Sequence, residues 1–168
     1  VIMQELKDNK NFCIIMAGGI GSRFWPMSRT RRPKQFLDVL GTGETLLQST
    51  FERAKMICPI ENICGVTSKL YGELVEQDLP ECRKENILCE PVRRNTAPCI
   101  AYAMAKIEKR CEDALVLVMP SDHLIVDKEN FVSRIFQGFR LARREQVLIC
   151  LGIKAAYPNT GYGYIQYN

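Results

Sequence analysis

Apolar positions along the chain fall into two patterns, short continuous runs and stripes spaced three or four residues apart. Continuous runs bounded by turn residues are typical of buried strands, whereas spaced stripes are typical of amphipathic helices. The run at 114–119 is also rich in β-branched residues, which predicts a central parallel strand covered on both faces. In all, the runs predict five strands, at 12–16, 62–67, 86–90, 114–119 and 147–153.

Four helices are predicted between or after these strands. Thr45 and Gln48 have the spacing of a capping box, and Asn95 and Asp127 have side chains that commonly cap a helix. A shorter helix is predicted at 71–79. The stripes predict buried residues: Leu47, Phe51, Ala54 and Cys58 in the first helix, Ala97, Ile100, Ala101, Met104 and Ala105 in the third, and Phe131, Ile135, Phe136 and Phe139 in the fourth.

Strands that alternate with helices predict an α/β fold, with a doubly wound, mostly parallel sheet and helices on both faces. Ligands of such sheets bind beyond the carboxyl ends of the strands. Three segments directly follow predicted strands: the glycine-rich segment 17–21, Glu90 with Pro91, and the turn at 120–122. We therefore expect these segments to meet at one edge of the sheet and to form a single site.

The segment 17–36 combines glycines with concentrated positive charge. Gly18, Gly19 and Gly21 remove side chains and allow positive φ, so that backbone N–H groups can close around an anion. A strand, a glycine loop and a basic segment together predict a site for the phosphates of a nucleoside triphosphate. Between Gly21 and Leu37 no residue is acidic and five are basic: Arg23, Arg29, Arg31, Arg32 and Lys34.

Two familiar glycine loops do not fit this segment. A dinucleotide-binding loop needs a third glycine where this chain has Phe24, and Pro26 and Pro33 keep the segment extended where that loop would begin a helix. A Walker A loop needs Gly-Lys-Ser/Thr, which is absent here. The plain alternative is a surface turn with solvated arginines, and the length of the motif argues against it. Trp25, the only tryptophan, is interpreted as a packing anchor for the loop.

The composition is that of an ordinary globular chain of 168 residues with a net charge of +4. The basic excess is local and lacks interleaved aromatic residues, so we expect no nucleic-acid partner. No apolar run is long enough to span a membrane, and no membrane partner is expected. The eight cysteines show no Cys-x-x-Cys spacing, and the chain shows no secretory leader. We therefore predict a cytoplasmic location and reduced cysteines, with Cys13, Cys99 and Cys150 in the core.

The glycine segment has the form Gly-Gly-x-Gly-x-Arg-x-x-Pro-x-Ser-Arg and is followed by Pro-Lys-Gln-Phe. It resembles the signature of the sugar-1-phosphate nucleotidyltransferases, in particular the mannose-1-phosphate guanylyltransferases. Three later segments, at 90–98, 119–123 and 158–165, agree with that family in the same order. The resemblance implies a Rossmann-like nucleotidyltransferase fold and the transfer of GMP from GTP to mannose 1-phosphate, which gives GDP-mannose and pyrophosphate.

The resemblance also implies roles for individual residues. Arg23 and Lys34 are the predicted catalytic residues, with Arg23 gripping the triphosphate and Lys34 neutralising the reacting phosphates. Asp122, a hard oxygen ligand, is the predicted ligand of Mg²⁺, which proteins hold with few carboxylates and the phosphates of the substrate. The nucleotide is expected to contact Ala17, Gly18, Gly19, Gly21, Ser22, Arg23, Glu90, Pro91, Asn95 and Thr96, and the sugar to contact Gly161, Tyr162 and Gly163.

Other interpretations stay open at this point. Asp122 could cap a turn, Arg23 could be solvated, and Asn95 could only cap its helix. His123, the only histidine, is assigned a structural role because an ionised phosphate needs no general base. The alternative functions are a related transferase with another base or sugar, and a module that binds nucleotide without turnover.

Members of the resembled family continue to a Glu-Lys-Pro segment and a second metal-binding acid. Residues 1–168 are therefore expected to form the nucleotide-binding portion of a larger nucleotidyltransferase domain, truncated here and inactive alone. Association into a homo-oligomer is left open.

Overall fold

A parallel sheet of four strands forms the centre of the structure, a computed structural model that describes residues 8–19, 21 and 24–166. The strands are β1 (Asn11–Met16), β2 (Ile63–Ser68), β3 (Ile87–Glu90) and β4 (Leu115–Pro120), and they lie side by side in the order β3-β2-β1-β4. All of the strand pairs are parallel, with Met16 opposite both Val66 and Pro120. The predicted parallel α/β sheet is confirmed.

The described residues form four α-helices, α1 (Leu46–Lys55), α2 (Gly72–Asp78), α3 (Thr96–Glu108) and α4 (Lys128–Glu145). Short 3-10 helices lie at Lys34–Phe36, Ile60–Asn62, Lys69–Tyr71 and Lys84–Asn86.

Two of the three predicted helix caps are confirmed. Thr45 and Gln48 form the capping box of α1, and the Asp127 side chain accepts a hydrogen bond from the N–H of Asn130 at the start of α4. Asn95 occupies the corresponding position of α3, but its side chain makes no capping bond, so the third prediction is wrong. The reason is its backbone, with φ 66° and ψ −161°, which departs from the extended conformation of most capping residues.

The two faces of the sheet carry unequal hydrophobic cores. Side chains alternate along β1, so that Cys13 and Ile15 face one side while Phe12 and Ile14 face the other. The first core, which α1, α2 and α4 cover, holds 19 buried residues, whereas the second, which α3 covers, holds 8. We call them the thick and the thin face. Helices therefore cover both faces, as predicted, but most of the packing lies on one of them.

Strand β4 lies at the edge of the described sheet, and the prediction of a central strand is wrong. Its side chains contact both cores, with Leu117 against the thick face and Val118 against the thin one, yet most of them are only half-buried. A continuous apolar run indicates that both faces of a strand are buried. It contains no information about neighbours on either side, which is why the position in the sheet was not predictable.

Residues 147–153 form no strand in the described structure, so the predicted fifth strand is wrong. Leu148 and Ile153 are 102% and 83% exposed, and Cys150 is also exposed rather than in the core. A strand is stabilised by hydrogen bonds to a neighbouring strand, and no described strand pairs with this segment.

The predicted buried stripe is correct for α1 and wrong for α3. Leu47, Phe51, Ala54 and Cys58 are buried, as are Ile135, Phe136 and Phe139 of α4, where Phe131 is half-buried. In α3 the buried residues are Cys99, Ala103 and Ile107, whereas Ala97, Ala101, Met104 and Ala105 are exposed and Ile100 is half-buried. Because α3 carries apolar residues on nearly all sides, more than one stripe fits its helical period.

All eight cysteines are free thiols, as predicted. Burial raises the pKa of Cys82 and of Cys99 to about 11, and it raises the pKa of Cys13 well above its usual value. In the described part of the chain, no helix combines the length and the apolar character needed to cross a membrane.

Candidate functional site

The carboxyl ends of β1, β3 and β4 bring the three predicted segments to one edge of the sheet. The Ser121 N–H donates to the carbonyl of Met16 at 3.2 Å, which joins the β4 turn to the start of the glycine segment. On the other side, a Cβ added at Gly18 would lie 3.6 Å from Oε2 of Glu90. The predicted convergence of the three segments is therefore present in the structure.

Buried side chains fix the glycine segment from behind. The Gln35 side chain, which is 1% exposed, donates through Nε2 to the carbonyls of Ala17 at 2.9 Å and Gly19 at 3.0 Å. The hydroxyl of Thr67 also donates to the Ala17 carbonyl, at 3.0 Å. Because C=O and N–H of a trans peptide point in opposite directions, holding the Ala17 carbonyl on one side turns the Gly18 N–H to the other.

All three glycines in this segment can adopt a positive φ, but only Gly21 does so, at 67°. A Cβ at Gly21 would lie 2.6 Å from Oγ of Ser28 and 3.1 Å from Cγ of Lys34. At Gly19, by contrast, no described protein atom lies within 4 Å of an added Cβ. Gly21 is therefore required by the fold, whereas Gly19 leaves open space beside the backbone.

The 3-10 helix Lys34–Phe36 directs three successive side chains to different partners. Lys34 forms an ion pair with Asp122, and its Nζ lies 5.8 Å from the centroid of the Phe24 ring. Gln35 holds the glycine segment, and Phe36 is buried in the core of the thick face. One short turn thus connects the glycine segment, the β4 turn and the hydrophobic core.

Asp122 is a partly exposed carboxylate at this edge, of the type that binds divalent cations. Its side chain is 24% exposed, so it is partly shielded yet accessible, and it is held at the end of β4 next to the glycine segment. Among the described residues no group of three or more His, Cys, Asp or Glu could hold a metal alone. One carboxylate with phosphate and water oxygens is a usual ligand set for Mg²⁺, so the residues present fit that ion when nucleotide is bound.

Glu90 is a buried carboxylate at this edge, only 6% exposed. Burial raises its pKa, and the positive charge of Arg93 opposes that rise. The residues that follow, including Pro91, Asn95 and Thr96, are exposed at the N-terminus of α3, where helix N–H groups favour anions. The positive φ of Asn95 is a sparsely populated conformation, of the kind that clusters at ligand sites.

The described part of the structure does not test the placement of several predicted residues at this edge. Ser22 and the predicted catalytic Arg23 lie outside the described residues. The segment with Gly161, Tyr162 and Gly163 is exposed, and the described hydrogen bonds of that segment run within 159–164, such as Gly161 N–H to Oδ1 of Asn159. Its contact with a sugar stays a prediction.

The basic turn of the loop lies on the surface. Arg29 and Arg32 exchange backbone hydrogen bonds of 2.9 and 3.2 Å, and the hydroxyl of Tyr71 donates to the carbonyl of Thr30 at 3.0 Å. Trp25 is 77% exposed, so its interpretation as a packing anchor is wrong. Two polar residues that hold the glycine segment, Gln35 and Thr67, were missed. The only signal for Gln35 was its place beside Lys34 in the Pro-Lys-Gln-Phe segment.

Comparisons with known proteins identify the family to which the chain belongs. The sequence pattern of the Nucleotidyl transferase family matches residues 12–168, and the chain therefore belongs to the nucleotidyl transferase family. The mannose-1-phosphate guanylyltransferase of Salmonella montevideo is 41% identical over 155 residues, which cover 91% of this chain and 32% of that protein. The alginate biosynthesis protein AlgA of Pseudomonas putida is 39% identical over 156 residues, which cover 91% of this chain and 31% of that protein.

A solved structure supports the same fold. The crystal structure of mannose-1-phosphate geranyltransferase from Thermus thermophilus superposes with a TM-score of 0.66 at 34% identity, over 76% of this chain and 37% of that one. The chain thus spans about a third of the length of the curated relatives it matches, 32% and 31% in the two cases above. The predicted membership of a nucleotidyltransferase family and the predicted α/β fold class are confirmed.

Proposed function

We propose that this chain forms the GTP-binding part of an enzyme that transfers GMP from GTP to mannose 1-phosphate, with GDP-mannose and pyrophosphate as products. The single observation that carries the proposal is the meeting of the glycine segment, Lys34, Asp122 and Glu90 at one sheet edge. Relatives named mannose-1-phosphate guanylyltransferase support the choice of substrates. The cytoplasmic location stays a prediction.

The reaction depends on positioning and charge neutralisation more than on acid–base groups. A phosphate oxygen of mannose 1-phosphate forms a bond to the α-phosphorus of GTP, and the bond from that phosphorus to the bridging oxygen breaks to release pyrophosphate. The nucleophile is already ionised, so no side chain has to remove its proton. Fixed positive groups that stabilise charge in the transition state supply most of the catalysis.

Lys34 and Asp122 divide this work between them in the proposal. In the structure each neutralises the other, with side chains 29% and 24% exposed. When nucleotide is bound, the ammonium group of Lys34 contacts the phosphates and Asp122 holds Mg²⁺. The ion supplies positive charge to the phosphate oxygens. The backbone N–H of Gly18, and by resemblance Arg23, complete the phosphate site.

Glu90 is the residue proposed to select guanine. An ionised carboxylate is an acceptor with two oxygens, and the Watson–Crick edge of guanine carries two adjacent donors, N1–H and N2–H. Glu90 is buried against Gly18, where a mismatched base would leave its carboxylate unpaired. Hydrogen bonds to a charged group contribute about 1.5–3 kcal/mol, which is enough for clear discrimination between bases.

The test measures the products and the binding separately. The full-length protein is incubated with Mg²⁺ and pairs of GTP, UTP or dTTP with mannose or glucose 1-phosphate, and products are identified by mass spectrometry. Turnover should be fastest with GTP and mannose 1-phosphate. Equal or faster turnover with another pair would contradict the guanylyl assignment and favour a related transferase. Tight GTP binding by calorimetry without product from any pair would favour a module that binds nucleotide without turnover.

A further inference from the structure

Two side chains of α1 hold the backbone on both sides of Asp122. The Nη2 group of Arg53 donates to the carbonyl of His123 at 2.9 Å. The Thr50 hydroxyl accepts a hydrogen bond from Arg53 at 2.8 Å and shares its own proton between two carbonyls, that of Leu46 at 2.9 Å and that of Ser121 at 3.3 Å. Both side chains are buried, with Thr50 at 0% and Arg53 at 3% exposure. Helix α1 therefore fixes the residues immediately before and after Asp122.

A third hydrogen bond completes the fixation of this turn. The Ser121 N–H donates to Met16 at the end of β1, so the turn is tied to the sheet as well as to α1. The Asp122 carboxylate, which lies between the tied residues, reaches Lys34. The direction of this carboxylate is thus set by backbone contacts as well as by its ion pair.

Arg53 is buried in the core, and stability alone does not explain a charged residue at this position. Burial lowers its pKa, and within the described residues no carboxylate forms an ion pair with it. Its Nε is buried without a hydrogen-bond partner. Buried charges can often be replaced by apolar residues of similar volume without loss of stability. What an apolar residue could not replace is the pair of bonds from its guanidinium to Thr50 and His123.

We propose that Arg53 and Thr50 are positioning residues, which hold the Ser121–His123 turn so that the Asp122 carboxylate is in place for the nucleotide-bound cation. This inference rests on the proposed function, in which Asp122 binds Mg²⁺. Neither residue touches substrate, and both act through the backbone of the turn. Small displacements of a reacting or binding group are costly, since a shift of about 1 Å can lower a rate about 100-fold.

The test compares Arg53→Met and Thr50→Val with Thr50→Ser, which keeps the hydroxyl. Lys55→Met is the control, because Lys55 lies on the same helix and pairs with Glu52 and Glu81. Calorimetry measures the Mg²⁺ affinity of the full-length protein at saturating GTP without sugar phosphate. Both Arg53→Met and Thr50→Val should weaken Mg²⁺ binding about tenfold at unchanged Tm, while Thr50→Ser and Lys55→Met bind Mg²⁺ like the parent.

A double-mutant cycle sharpens this result. If Arg53 acts through Asp122, Asp122→Asn should weaken Mg²⁺ binding, and adding Arg53→Met to it should cause no further loss. Independent, additive losses would overturn the proposal, as would normal Mg²⁺ affinity in folded Arg53→Met and Thr50→Val. The proposal would also be overturned if the losses of Mg²⁺ affinity were fully explained by unfolding of the variants, as a fall in their Tm would show.

Amide hydrogen exchange keeps the inference separate from the proposed function. If the parent protein bound neither GTP nor Mg²⁺, the proposed function would fail, yet the turn could still be examined. Faster exchange at residues 121–124 in Thr50→Val than in Thr50→Ser supports the positioning role, and equal exchange overturns it. If Arg53→Met does not fold, the comparison of Thr50→Val with Thr50→Ser still tests the proposal, because the two variants differ in one buried hydroxyl.

Discussion

The candidate site consists of two halves, which differ in how many buried side chains support them. The half proposed to bind the phosphates, called the phosphate half, comprises the glycine segment, Lys34 and the turn at Ser121 and Asp122. Buried side chains such as Gln35 and Arg53 hold its backbone. The half proposed to bind the nucleoside, called the nucleoside half, comprises Glu90 and residues 91–96, and it is exposed beyond Glu90. The phosphate half packs against the core of the thick face, and the nucleoside half packs against the core of the thin face.

In the proposed function, this difference corresponds to a division of tasks within one site. Groups that stabilise transition-state charge must be preorganised, and the phosphate half has the buried hydrogen bonds that provide such order. The choice of base or sugar depends on fewer contacts and tolerates adjustment on binding. Asn95, with its unusual backbone and no capping bond, lies in the half that has room to adjust.

The largest effect is expected from Lys34→Ala in the phosphate half. Removing this charge stabiliser should lower kcat by two to three orders of magnitude, about 3–4 kcal/mol. The ion pair with Asp122 is partly exposed, so its loss should change stability by only about 1 kcal/mol or less. Steady-state kinetics and a thermal melt of the full-length protein measure the two effects. Lys69→Ala, at an exposed lysine, is the control. Near-normal kcat in Lys34→Ala would show that the phosphate half has been misplaced.

A second effect, of about 10- to 100-fold, is expected from Glu90→Gln in the nucleoside half. The amide replaces an acceptor oxygen with a donor, which cannot pair with both guanine donors, so the preference for GTP over UTP should fall by about 1.5–3 kcal/mol. Competition binding of the two nucleotides measures this preference. An unchanged preference would remove Glu90 from base selection while leaving the phosphate half untouched.

The same carboxylate gives the site a pH dependence. Because burial raises the pKa of Glu90, protonation should weaken GTP binding on the acid side at a higher pH than for an ordinary glutamate. The effect on folding has the opposite sense: a raised carboxyl pKa contributes stability below the unfolded-chain value, and this contribution is lost as pH rises through the folded pKa. The contributions of this carboxyl group to the pH dependence of GTP binding and of stability should both be absent in Glu90→Gln. Measurements of GTP affinity and of Tm across a range of pH would show this.

A third effect, of about tenfold, separates two glycines of the phosphate half. Gly19→Ala should keep the parent Tm but weaken GTP binding, because the space beside its backbone is free of described protein atoms and open to phosphate. Gly21→Ala should lower Tm as well, since left-handed backbone costs about 1–2 kcal/mol and Ser28 lies in the way. Calorimetry with thermal melts measures both, and Gly138→Ala, in open space on α4, is the control. Normal GTP binding by Gly19→Ala would mean that the ligand does not approach there.

The smallest effect is expected at the predicted sugar loop. Tyr162 is 62% exposed and sits in a segment whose described hydrogen bonds are local. One aromatic contact contributes about 0.5–1.5 kcal/mol, so Tyr162→Ala should raise the KM for mannose 1-phosphate about two- to tenfold. The KM for GTP should not change. An equal rise in both KM values would place this segment with the nucleotide instead.

The parts of the fold that were predictable from sequence are those decided by local chemistry. The capping box at Thr45 and the cap at Asp127 are made by side chains next to the helix they begin. The common edge of the three segments followed from parallel strands alone. The edge position of β4 and the unpaired segment 147–153 depend on lateral neighbours, which the pattern of one strand does not describe.

The candidate site shows the same limit. Residues whose type suggests chemistry, such as Lys34 and Asp122, were predicted and lie together. Their supports were not predicted, because Gln35, Thr50 and Arg53 act through backbone carbonyls that are distant in sequence. A polar residue on a buried helix face is the one signal that would have pointed to Arg53.

The short turn Lys34–Phe36 also constrains how the chain can vary in length. In a 3-10 helix successive side chains point about 120° apart, so three neighbouring residues can serve an ion pair, a loop anchor and the core at once. Substitutions would affect these contacts one at a time. An insertion or deletion of one residue within this turn would rotate all three side chains away from their partners together. Length variation between Pro33 and Leu37 is therefore incompatible with an ordered site.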